Sequence, residues 1–128
     1  MLSQTAEYAL RAMTQLAVDA PNAGTTRDVA KRTQVPPAYL SKVLQHMRRA
    51  GLVTSRRGVG GGVKLARPPK RISLLEIVNA AGPLTRDVPK RAALAPLNRK
   101  IGALTDQLRK GLASTSLADV APRFAKAK

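Results

Sequence analysis

Residues 52–66 constrain this chain more than any other stretch. Leu52-Val53-Thr54-Ser55 and Val63-Lys64-Leu65-Ala66 are short β-prone runs, and Arg56-Arg57-Gly58-Val59-Gly60-Gly61-Gly62 lies between them. Two such runs joined by a glycine-rich loop read as a hairpin. Glycine lets the tip adopt positive φ and lets the backbone approach another surface closely. A loop that cradles a nucleotide phosphate needs strand, loop and then helix. Here the loop returns to a strand, and no Gly-Lys-Ser/Thr follows. The hairpin therefore reads as a wing on a helical body.

The segments before it supply that body. Residues 4–20 form an amphipathic pattern, with Ala6, Ala9, Leu10, Met13, Leu16 and Ala17 on one face. Ser3 can cap its start, and Pro21-Asn22-Ala23-Gly24 stops it. Thr25 or Thr26 opens a short helix to about Arg32, with Asp28 near its positive end. Thr33-Gln34-Val35 make a turn, and Pro36-Pro37 start a third helix to about Ala50. Leu40, Val43, Leu44 and Met47 form its buried face, and Gly51 ends it. Two short helices joined by a tight turn make a helix-turn-helix.

After the wing, Arg67-Pro68-Pro69-Lys70-Arg71 reads as an extended linker. Ser73 and Glu76 have capping-box spacing at the start of a helix that ends at Gly82-Pro83. Residues 84–96 show no period and read as a loop. From Leu97 the stripe Leu97, Ile101, Leu104, Leu108 and Leu112 returns, about one apolar residue per turn. A stripe that narrow suits a seam between two helices. Residues 116–120 read as a short closing helix, and the Lys-rich end from Arg123 as frayed.

Charge directs the functional reading. The 128 residues carry 23 Lys and Arg against 7 Asp and Glu, a net +16. Residues 29–75 hold no acid at all. So one-sided a block repels itself unless a polyanion shares the surface. Only Tyr8, Tyr39 and Phe124 are aromatic, and grips on single strands usually stack bases on several aromatics. Duplex DNA is the better fit. With no cysteine and one histidine, His46, the chain lacks thiolate ligands, a His-rich metal site and most acid–base machinery. No apolar run reaches the roughly 18–20 residues of a membrane span. The N-terminal stretch does not read as a secretion signal, since it lacks a basic start and carries Glu7. A cytoplasmic, nucleoid-associated protein is expected.

The third helix presents Ala38, Ser41, Lys42, Gln45 and Arg49 away from its packing side. Small and hydrogen-bonding residues at that end suit a major groove. Any small protein can expose such a face, so the weight comes from its place beside the wing. Arg57 suits a narrow minor groove. His46 reads as structural or phosphate-contacting, and Glu7 and Glu76 as surface or capping residues.

EYALRAM, PPAYLSKVLQHMRRAGLV, RRGVGGGVKLARPP and SLLEIV together resemble the Rrf-two family of winged helix-turn-helix regulators. The resemblance runs through residues 1–82 and, more loosely, to the SLADV segment. It implies a homodimer with long helices crossed, a roughly palindromic operator, recognition helices in major grooves and wings in minor grooves. It also implies DNA contacts by Ser41, Lys42 and Arg57, supported by Tyr39 and the wing glycines. Sensor members of the family carry three cysteines that hold an iron–sulfur cluster, and residues 82–97 here have none. Glu7 matches a position that supplies a carboxylate ligand in some members; without thiolates it reads as structural.

The expected molecule is thus mainly α with a small β-hairpin. A winged helix-turn-helix DNA-binding domain spans 1–82, a loop 83–96, a dimerisation helix and closing segment 97–121, and a basic tail 122–128. The expected DNA-binding set is Thr26, Arg27, Tyr39, Ser41, Lys42, Gln45, Arg49, Arg56, Arg57, Gly58, Gly60 and Gly61. The expected dimer seam is Leu97, Ile101, Leu104, Leu108 and Leu112. The function expected is a sequence-specific regulator of transcription, a repressor, acting without cofactor or catalysis. Its expected partners are double-stranded DNA, a second copy, and an unidentified effector or partner protein. The alternative is a sequence-nonspecific architectural DNA- or RNA-binding protein.

Overall fold

The computed structural model of the chain describes residues 2–56, 61–82, 84 and 91–122. Helix α1 spans Gln4–Asp19, and the Ser3 hydroxyl accepts from the Ala6 N–H at 3.1 Å. Ala6, Ala9, Ala12, Met13 and Leu16 are buried along it. The alanines let neighbouring helices approach closely, so α1 becomes the central rod. Helix α2 spans Thr26–Thr33 and is capped by Thr25, whose hydroxyl accepts from the Asp28 N–H. Gln34 closes α2 in the left-handed region, at φ 58°, and Val35 beside it is 2% exposed. The turn between helices is thus fixed by a cap and an apolar anchor. Helix α3, Pro37–Arg49, turns Leu40, Val43, Leu44 and Met47 inward, as expected. Gly51 follows with φ 75°.

The hairpin begins one residue later than expected. Leu52 donates its N–H to the Met47 carbonyl at 2.9 Å and so still belongs to the end of α3. Strand β1 is Val53–Arg56 and β2 is Gly62–Leu65, antiparallel, with Val53 opposite Leu65 and Thr54 opposite Lys64. Gly24 joins β2 through a mutual pair of 2.8 Å bonds with Val63.

The linker after the wing is not extended. Pro69–Arg71 form a 3₁₀ turn, with the Arg71 N–H on the Pro68 carbonyl. Proline's fixed φ of roughly −65° suits the start of such a turn as well as an extended strand. Helix α4, Leu74–Ala81, is capped by Ser73, but only half of the expected box forms. The Glu76 carboxylate instead pairs with Arg67 at 2.9 Å. Part of the stretch expected as loop is helical: Ala92–Leu94 make a 3₁₀ turn and α5 runs Ala95–Ala113, with Pro96 in its first turn. Helix α6, Leu117–Val120, carries a full capping box between Ser116 and Asp119.

One main core unites these pieces. Leu117 enters it beside Met13, Leu16, Leu40, Met47 and Ile77. The Leu117 N–H bonds the Ile72 carbonyl and the Leu74 N–H bonds the Thr115 carbonyl, both at 2.9 Å. These bonds stitch the segment after α5 to the start of α4. A smaller cluster of Ala6, Val78 and Leu112 sits between α1, α4 and the end of α5. Among the described residues no helix is long and apolar enough to cross a membrane.

Candidate nucleic-acid interface

Because Leu40, Val43, Leu44 and Met47 face the core, the helical period turns Ser41, Lys42, Gln45 and Arg49 outward, and all four are exposed. The Ser41 hydroxyl donates to the Pro37 carbonyl at 3.2 Å, which leaves its oxygen free to accept. The i, i+4 row Ser41, Gln45 and Arg49 and the adjacent Lys42 form one polar strip. Thr26 is half-buried and Arg27 exposed, in the first turn of α2.

Tyr39 differs from the rest of the expected set. It is half-buried, its hydroxyl shares a 2.7 Å hydrogen bond with Thr5, and its ring meets Tyr8 edge-on at 4.9 Å. Tyr39 thus braces the start of α3 against α1, with one hydrogen bond of its hydroxyl already made to Thr5.

Arg56 ends β1 and is exposed, and Gly61 stands just before β2. Arg57, Gly58 and Gly60 lie outside the described residues. Strand alternation puts Thr54 and Lys64 on the face that carries Arg56. Lys64 is missing from the expected set, although a period-two reading of the strand would have found it.

Charges are sorted across the molecule. Among the described residues the ion pairs are Arg32–Asp19, Arg67–Glu76 and Arg109–Asp106. None of them engages Lys42, Arg49, Arg56 or Lys64, whose charges stay available to a polyanion. The described residues contain no group of three or more His, Cys, Asp or Glu able to hold a metal ion. Glu7 is exposed on the first turn of α1.

The expected dimer stripe divides in two. Leu97 and Leu104 are 47% and 42% exposed, and Ile101 is half-buried. Leu112 is 8% exposed and packs against Ala6 and Val78, with Leu108 alongside. Its lower end therefore serves the chain's own core, because α6 must fold back there.

Comparison with known proteins agrees with this geometry. A family model described as "Rrf2: Iron-dependent Transcriptional regulator" matches residues 2–123. An HTH-type transcriptional regulator of Mycobacterium tuberculosis is 39% identical over 131 residues, 94% of this chain and 80% of that protein. The HTH-type transcriptional regulator IscR of Cereibacter sphaeroides is 39% identical over 82 residues, 62% of this chain and 53% of that protein. Among solved structures, T. potens IscR superposes with a TM-score of 0.78 at 26% identity, over 100% of this chain and 88% of that one. CymR, the global cysteine regulator of B. subtilis, does so with 0.80 at 27%, over 94% of this chain and 95% of that one.

Proposed function

Because this chain belongs to the Rrf2 family of DNA-binding transcriptional regulators, we propose that it is a homodimeric, sequence-specific repressor that works without an iron–sulfur cluster. The observation that carries the reading is the exposed strip Ser41, Lys42, Gln45 and Arg49 beside the basic hairpin, with no acid paired to it among the described residues. Lysine and arginine neutralise phosphates and release counterions, which supplies most of the affinity. Ser41, Lys42 and Gln45 add discrimination at base edges, where glutamine suits adenine and lysine suits guanine. Arg57 enters the adjacent minor groove. Bound at a promoter on the nucleoid, the protein excludes polymerase.

Two copies are needed because one helix-turn-helix reads only a half-site. Two-fold symmetry sets the half-sites about 34–36 Å apart, or a multiple of that. Leu97 and Leu104, exposed on α5, supply the seam. An iron–sulfur cluster requires soft sulfur donors. This chain has no cysteine, and no three His, Asp or Glu cluster among the described residues. The residues present do not fit an iron–sulfur cluster, which leaves a small-molecule effector, a partner protein or constitutive action.

The test is selection of bound fragments from genomic DNA, followed by titration of the selected site against random duplex. A preference of about 10³ or more is expected of a regulator. Equal affinity for both would establish a nonspecific architectural binder instead. Arg57→Ala should weaken binding to the selected site by about 1–3 kcal/mol, and an unchanged gel-shift midpoint would remove Arg57 from the interface.

A further inference from the structure

A cleft of about 210 Å³ opens at the root of the wing, on its outward face. Thr54, Arg56, Gly62 and Lys64 line one side and residues 21–23, after α1, the other. Thr54 stands opposite Lys64 and Arg56 opposite Gly62, so a guanidinium, an ammonium and a hydroxyl share one small patch of strand surface. Asn22 adds an amide from the facing wall. Among the described residues no carboxylate lines the cleft, and no ion pair engages Arg56 or Lys64.

The cleft is held in shape before anything enters it. The mutual 2.8 Å bonds between Gly24 and Val63 fix the loop against β2. That approach requires glycine at position 62. Its φ is 139°, and a Cβ there would lie 2.6 Å from the Gly24 carbonyl oxygen.

We propose that this cleft seats one phosphodiester group of the duplex, with Lys64 and Arg56 supplying charge and Thr54 and Asn22 neutral hydrogen bonds. The inference rests on the regulator reading above and adds a backbone clamp to it. The volume suits a single phosphate-sized group and is below the roughly 300–1,000 Å³ of sites for drug-sized molecules. The position argues for the duplex as its source, because the cleft is at the base of the wing whose next residue after Arg56 is Arg57. Contacts of this type set register and add affinity without reading sequence.

The salt dependence of duplex binding tests it, with Lys64→Gln, Thr54→Val and Lys64→Arg beside the parent chain. Each phosphate neutralised contributes about −0.9 to the slope of log affinity against log salt. Lys64→Gln should flatten the slope by about one per protomer, equally on the selected site and on random duplex, and Lys64→Arg should restore it. Thr54→Val should weaken both duplexes several-fold with the slope unchanged. An unchanged slope in Lys64→Gln would overturn the clamp, and so would a change confined to the selected site, which marks a base contact. Inorganic phosphate, exchanged for glutamate at constant ionic strength, separates the two sources of the anion. Saturable binding of phosphate to the DNA-free protein, with duplex binding of Lys64→Gln unaltered, would assign the cleft to a small anion. If the parent protein shows no site preference, the regulator reading fails, whereas the slope comparison on random duplex still decides the clamp.

Discussion

Helix α1 buries Ala6, Ala9, Ala12, Met13 and Leu16 over its 16 residues, whereas α5, with 19 residues, buries only Thr105 and Leu112. The two helices carry apolar patterns of similar clarity, yet α1 is covered along its length and α5 mainly at its C-terminal end. Around α1, four other helices and the wing close a continuous core. Around α5, Leu112 and Leu108 join a small cluster while Leu97 and Leu104 stay open. Most helical stability in proteins comes from packing an apolar face rather than from intrinsic propensity. The upper half of α5 therefore keeps two exposed leucines for another surface.

That contrast can be broken from either side. The largest effect should come from the body: Leu40→Ala removes a fully buried side chain and should cost about 2–5 kcal/mol in urea unfolding. A loss below about 1 kcal/mol would mean the body is no better packed than α5. On the other side, Leu104→Asp should weaken self-association by about 2 kcal/mol, roughly 30-fold, as a central interface residue does. Sedimentation would register it, while unfolding of the separated protomer should shift by no more than about 0.5 kcal/mol. An unaltered association constant would take α5 out of the seam. The smallest change sharpens the boundary between the two regions. Ser116→Ala deletes the cap of α6, the segment that returns the chain to the core, and should cost about 1 kcal/mol. Hydrogen exchange at the Leu117 amide reports it directly, and undiminished protection there would mean the return is held by Leu117 packing alone.

The caps were legible because each is made within three residues. Ser3 and Ser73 are N-caps in the sequence and in the structure, and of the candidates Thr25 and Thr26 it is Thr25 that caps α2. So was the inward face of α3, which follows from a 3.6-residue period. The Glu76 partner was not legible, since Arg67 competes with the Ser73 backbone from outside the helix. The polar strip on α3 could be read residue by residue, but Tyr39 could not be separated from it. Only the fold brings Thr5 and Tyr8 against its hydroxyl and ring. The split of the α5 stripe was hidden for a similar reason. Apolar spacing marks a face but does not say which chain covers it.

By itself, then, the sequence determined the order helix, turn, helix and wing, the inward face of α3, and an acid-free basic middle. Those follow from caps, periods and charges that act within a turn or two of the chain. Tertiary structure alone decided that Gly24 joins β2, that Asn22 faces Lys64 across a cleft, and that Leu117 closes the core from far down the chain. Contacts between distant residues depend on how every buried face packs at once, and no local pattern encodes that sum.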